Sequence, residues 1–179
     1  MSNHNFKVTH FYGVCQIWSK MMSDLTKIAE LTRDIKFTMV TFVSHEGHLH
    51  SAPMTTQESD FDGTVWFIGA KDSDLVRSIP TNSQVNLSYS DTSNHNYVSI
   101  NGTAELVTDK AKLDELWSDG YKAFFEQGKE DPNIQLIKVT GNGAQYWEGA
   151  GRVVSVIKMA KAAITGQQAD LGTTDAVKF

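Results

Sequence analysis

Short stretches of β-branched and aromatic residues, each closed by a turn signal, restrict this chain more than any other feature of its sequence. Phe37 to Ser44 reads FTMVTFVS and is followed by Glu46-Gly47; Asp60 to Gly63 reads DFDG and leads into TVWFIG at Thr64 to Gly69. Runs of this kind between turn residues predict strands and hairpins. Between them lies HLHSAPMTTQ, His48 to Gln57, which begins as a solvated strand and runs into a proline. Proline has no N–H to give to a ladder, so Pro53 belongs on an edge, at a strand start or at a bulge. The three segments are expected to form an antiparallel meander. Its proline strand is either an ordinary edge blunted against aggregation or an edge that faces a flat ligand.

The rest of the chain continues the pattern. Ser23 is the expected N-cap of a helix from Asp24 to Ile35, with Leu25, Ile28, Leu31 and Ile35 at helical spacing. A short helix at Asp72 to Ile79 is stopped by Pro80. Strands follow at Gln84 to Ser90 and Asn96 to Val107, the second with Gly102 marking a bulge or bend. Helical pattern returns from Asp109, with Leu113, Leu116 and Trp117 on one face, and again at Tyr121 to Gln127. Two further strands are expected at Ile134 to Thr140 and Ala144 to Glu148, then an amphipathic helix from Val153 to Thr165 ended by Gly166. About six or seven hairpin-connected strands with peripheral helices make a small antiparallel barrel of α+β class. Closure of that barrel would hide its edges.

At 179 residues the chain suits one domain, and a net charge of −5 provides no field to draw nucleic acid or an acidic membrane surface. Cys15 is the only cysteine, so no internal disulfide can form, which fits a reducing cytosol. The longest apolar runs are too short to span a bilayer, and Met1 to Lys20 lacks the apolar core of a signal peptide. Residues 1–22 read as an extension outside the fold, residues 23–166 as the domain, and residues 167–179 as a loosely held tail.

Chemical motifs are few. His48 and His50 could share a strand face, but Glu46-Gly47 separates them from His45, and no further ligands follow at zinc-like spacing; solvated histidines around a hairpin are the expectation, with no metal. There is no nucleophile elbow, and Gly141-Asn142-Gly143 and Gly149-Ala150-Gly151 lack the strand-to-helix context of a dinucleotide fingerprint, so both are expected to be turns. No catalytic residue can be singled out. Trp66, Phe67, Tyr89, Tyr97, Tyr146 and Trp147 all fall on predicted strands. Most belong to a core, yet such a sheet is also suited to clasp a flat conjugated ring.

Read in order, SAPMTTQ after a glycine turn, TVWFIGAKDSDLVRSI, NYVSINGTAELV, then ELW, AFF, DPN, QYWEG and a closing KMAKAAITG form one pattern. It resembles the general stress protein branch of the pyridoxamine-phosphate-oxidase-like, FMN-binding split barrels, from about Asp24 to Phe179. The resemblance implies an antiparallel six- to seven-stranded split β-barrel of Greek-key type. It also implies a homodimer with two FMN sites at the subunit interface, and the charge, cysteine usage and short apolar runs noted above add the expectation of a cytoplasmic protein with no nucleic acid and no membrane partner. Ser51, Ala52, Pro53, Met54 and Thr55 would lie along the flavin ring, and Phe67 and Ile68 would offer main-chain groups to its pyrimidine edge. Trp147 of the partner chain would cover the ring, with Tyr97 nearby.

The phosphate end departs from the family's pattern. Ala52 stands where relatives usually carry arginine, and Asp74-Leu75 where a lysine is usual, leaving Lys71, Ser73, Arg77 and the backbone at the start of the short helix as substitutes. The implied activity is a flavin-dependent oxidoreductase, with an unknown substrate. The alternatives are a non-catalytic flavin-binding stress protein and a binder of another planar group such as a deazaflavin, haem or bilin.

Overall fold

The computed structural model describes residues 20–57, 61–150 and 172–179. Helix α1 covers 20–32 and already runs through Ser23, which is therefore not its N-cap. Ile28, Ala29 and Leu31 bury its inner face. The helix ends before Ile35 because the backbone tightens into a turn, Ile35 N–H donating to Thr32 O at 3.1 Å. Strand β1 (Phe37–Val43) follows with clean alternation: Thr38, Val40 and Phe42 are buried, while Phe37 and Met39 are exposed. The Glu46-Gly47 turn, with Gly47 at φ 83°, brings β2 (Leu49–Thr55) back along β1, from Val43 opposite Leu49 to Phe37 opposite Thr55.

Strand β3 (Thr64–Ala70) does not extend this hairpin into a meander. It pairs instead with the first half of β6 (Ile134–Gly149), Thr64 opposite Thr140 and Ala70 opposite Ile134. The reason lies in its two faces. Phe67 belongs to the main core, whereas Ile68 belongs to a second cluster with Tyr121, Phe125, Ile134 and Leu136. β6 is divided the same way, with Ile137 and Val139 in the main core. A strand apolar on both faces gains most beside another that is covered on both faces. β2 is exposed or half-buried throughout and offers no such cover.

With β4 (Gln84–Asp91) and β5 (Asn96–Val107), the strand order becomes β2-β1-β4-β5-β6-β3. β2 and β3 are thus the two ends of the sheet. They curl back towards each other, and a methyl group built on Gly69 of β3 would touch the Met54 Cε of β2 at 3.7 Å. No ladder joins them. The expected barrel is open along this line rather than closed, and Pro53 does lie on an edge strand.

Two glycine features bear on the course of β6, one as expected and one not. Gly102 marks the expected irregularity, a register shift against β6 at Asn101/Gly102. Gly141-Asn142-Gly143, however, is no turn but the middle of the 16-residue β6. The glycines there admit close neighbours: a Cβ on Gly143 would lie 2.8 Å from Val177 O, and one on Gly141 would lie 3.0 Å from the Phe179 ring. Both contacts come from β7 (Gly172–Lys178) and the residue after it, so the closing residues form a strand against the second half of β6. Helices α2 (Asp74–Ser78) and α3 (Lys110–Leu116), with short 3-10 turns at Asp119–Ala123 and Gly128–Glu130, complete the described residues. The N-terminal stretch with Cys15 and the expected helix from Val153 to Thr165 lie outside them.

Tyr89 on β4 is buried, and burial pushes its phenol well above the usual value of 10.0, with a hydrogen bond to Thr38 pulling the other way. A raised value means that the folded state keeps a proton which the unfolded chain gives up near pH 10. This contribution is therefore complete below pH ~10 and is lost as pH rises beyond it. Tyr89→Phe is expected to flatten the fall in urea midpoint above that pH, while Tyr121 keeps its own share; an unchanged alkaline slope would show that Tyr89 is not the buried phenol at issue. Separately, Gly143→Ala should cost ~1–3 kcal/mol, the range for overpacking a tight site, and speed amide exchange in β7. A variant with native urea midpoint and exchange would mean that β7 does not approach so closely.

Candidate functional site

The opening between β2 and β3 forms a slot of about 420 Å³, within the range of ~300–1,000 Å³ typical of small-molecule sites. One wall is β2 from His50 to Thr55, and the other is Ile68, Gly69 and Ala70 of β3. Tyr121, Phe124 and Phe125 complete it with Ser73, Asp74 and Leu75 around the start of α2. Each strand is paired on one side only, β2 with β1 and β3 with β6. Unpaired strand edges present alternate N–H and C=O groups, so the slot combines apolar walls with backbone donors and acceptors at its rims. Larger hollows of about 630 and 960 Å³ are lined by several charged side chains, including Glu30, Asp34, Lys36 and Asp91 in the former.

Ser51, Ala52, Pro53, Met54, Thr55, Ile68 and Ser73 all line the slot. Ser51 shares a 2.7 Å hydrogen bond with Thr41, while Ala52 and Met54 pack onto the main core. Phe67 does not line it; its side chain is fully buried in the main core. Lys71 also points elsewhere, its Nζ donating to Pro132 O. Tyr97 and Trp147 stand opposite each other on β5 and β6. They are 38% and 39% exposed and lie outside the slot of their own chain.

Sequence reasoning missed the aromatic part of the wall. Tyr121 and Phe125 belong to the second cluster, and Trp117 stacks on both at 5.6 and 6.3 Å between ring centroids. The Tyr121 hydroxyl accepts from Gln57 Nε2 at 2.7 Å. Burial raises its phenol above the ordinary range, and that hydrogen bond lowers it somewhat. Phe124, at 75% exposed, stands at the mouth. The signal was the YKAFF spacing, which reads as a plain helical turn unless its destination is known. His50 packs edge-on against Phe42, ring centroids 6.0 Å apart, and both line the slot. Among the described residues no three His, Cys, Asp or Glu side chains gather as a metal site.

A sheet left open between its end strands, with an apolar slot in the opening, defines a split barrel. Residues 23–170 match the family described as pyridoxamine 5'-phosphate oxidase like, and the chain belongs to that family. The curated protein bli-3 of Neurospora crassa is 27% identical over 145 residues, 75% of this chain and 69% of the relative. A Jannaschia sp. CCS1 structure assigned to general stress protein 26 is 29% identical with a TM-score of 0.72, covering 89% of this chain and 99% of that one. The general stress FMN/FAD binding protein of Xanthomonas citri is 29% identical with a TM-score of 0.62, covering 71% and 89%. Among the described residues no helix is long and apolar enough to cross a membrane.

An apolar aromatic probe such as anilinonaphthalene sulfonate should lose affinity when Phe124 becomes alanine, by the ~0.5–1.5 kcal/mol of one aromatic contact. The melting temperature should stay put, as expected for an exposed position. Unchanged probe affinity would place the binding surface away from this wall.

Proposed function

We propose that the slot holds the isoalloxazine ring of a flavin and that the chain is a flavoprotein of the general stress type. One observation carries this reading: two free strand edges face each other across an apolar gap whose wall includes Ala52, Pro53, Met54, Ile68 and Leu75. A flat ring with polar atoms along one side needs that combination, apolar faces above and below and hydrogen-bonding backbone at the rim. Membership of the pyridoxamine 5'-phosphate oxidase-like family and the likeness to an FMN/FAD binding protein support it. A bound flavin would supply hydride or one-electron chemistry. The chain's own residues orient the ring: Pro53 and Met54 along one wall, Ile68 along the other, with Tyr121 fixed by Gln57 beside it.

The working unit in this proposal is a cytoplasmic homodimer in which Tyr97 and Trp147 of one chain close over the slot of the other. The exposed Phe37, Met39 and Leu49 give the outer surface of the β1–β2 hairpin apolar area that a second copy would cover. Whether the bound flavin turns over is the finer part of the reading. Of the titratable side chains lining the slot, Tyr121 is engaged by Gln57 and Asp74 by Arg77, which leaves His50. This favours a protein that holds or carries the cofactor, or an oxidoreductase whose proton traffic comes from solvent or substrate.

The visible spectrum of the purified protein, before and after addition of flavin, tests the proposal. Flavin bands with quenched fluorescence are expected, and a colourless protein that takes up no added flavin would contradict it. Trp147→Ala should weaken flavin binding by ~0.5–1.5 kcal/mol through loss of a stacking surface; undiminished affinity in a folded dimer would mean that the indole does not cover the ring. Bleaching by NADH or NADPH with repeated turnover would select the oxidoreductase over the carrier.

A further inference from the structure

We infer that the slot selects the flavin ring without rewarding its 5'-phosphate, and that Asp74 is the residue that sets this preference. The inference rests on the flavin reading above and deepens it. Among the described residues no lysine or arginine lines the slot, and the one carboxylate that does is Asp74, beside the start of α2. A phosphate dianion is held by charge-assisted donors, and those near this end of the slot are already engaged.

The turn between β3 and α2 is clamped from the far side. Lys71 N–H donates to Asn133 O at 2.7 Å, and Asp72 N–H donates to Asn133 Oδ1 at 3.3 Å. Ser73 N–H donates to Ala70 O at 3.0 Å, and the Ser73 hydroxyl donates to the same oxygen at 2.7 Å. Ser73 Oγ in turn accepts from Val76 N–H, so the serine acts as a helix cap rather than an anion ligand. The Lys71 ammonium is turned to Pro132 O.

Arg77 follows Asp74 by one turn, and Asp74 holds it, Nη2 to Oδ1 at 2.7 Å; among the described residues Lys122, between Tyr121 and Phe124, is likewise paired, with Asp119. The pair itself sums to zero charge. An arriving phosphate meets a carboxylate before it meets the guanidinium. Lys36 lines a separate cleft that meets the slot only at Thr55 and Tyr121, at the other end of β2. Specificity of this kind comes from an opposed charge, not from a missing contact alone.

Fluorescence titration of the full-length chain with riboflavin and with FMN, at low and moderate salt, tests the inference. Riboflavin is expected to bind as tightly as FMN or tighter. Asp74→Asn frees Arg77 and should raise FMN affinity about fivefold to tenfold relative to riboflavin, the size of one exposed charge contact. Arg77→Ala should shift the ratio the other way. Wild-type protein that prefers FMN tenfold or more, or a ratio that neither substitution moves, would overturn the inference while leaving the flavin reading intact. Failure of both flavins to bind would remove the flavin reading itself, and the inference with it.

Discussion

Everything in this molecule follows from two strands that do not pair. β3 is apolar on both faces and is therefore committed to β6, where Phe67 enters one core and Ile68 the other. β2 has only β1 as a neighbour and stays half-exposed. The sheet bends until the two come within side-chain reach across Gly69, then stops short of a ladder. Two facing rows of unmatched backbone groups are costly to bury and prone to recruit other strands. Pro53 removes one donor, Met54 crosses towards Gly69, and Tyr121, Phe124 and Phe125 wall the remainder. A slot persists because none of the described residues closes it.

β6 makes the bend possible. It runs for 16 residues, sharing its first half with β3 and its second with β7, while β5 lies along its other side. The register shift at Gly102 and the bare backbone at Gly141 and Gly143 lie where these neighbours change over. A Cβ at Gly102 would fall 2.7 Å from Thr140 O, so side chains are excluded where the backbones cross. The ion pair of Lys27 with Glu148, at 2.8 Å, links α1 to the end of the same strand. Being partly exposed, it contributes little energy.

What could be read from the residues divides along the same physical line. β5 has the predicted bounds of Asn96 and Val107, because its signal is local alternation. The short helix before Pro80 was legible from its local pattern, but its cap was not: the reading put Ser73 inside a helix from Asp72, and the structure makes it the N-cap of Asp74–Ser78. Which strand lies beside which was not legible, because β3 follows β2 in sequence but pairs with a strand some seventy residues on. Glycine was ambiguous: at Gly47 it signals a turn, and at Gly143 a close approach by a strand far along the chain. The β2 wall of the slot was visible through Pro53. The Tyr121–Phe125 wall was not, because it depends on where a 3-10 turn lands.

In the proposed reading the family suggests a flavin ring, and this chain's own residues set its terms. Ala52 and the engaged donors of the Lys71–Ser73 turn put apolar contact ahead of charge. The account rests on the ring entering between β2 and β3, and amide NMR during a riboflavin titration tests that most directly. It predicts saturable shifts concentrated at Ser51, Ala52, Met54, Thr55 and Ile68 to Ala70, on the two facing edges. Saturable shifts that spare both edges and centre instead on the lysine-lined hollow of Lys71, Lys110 and Lys129 would contradict it.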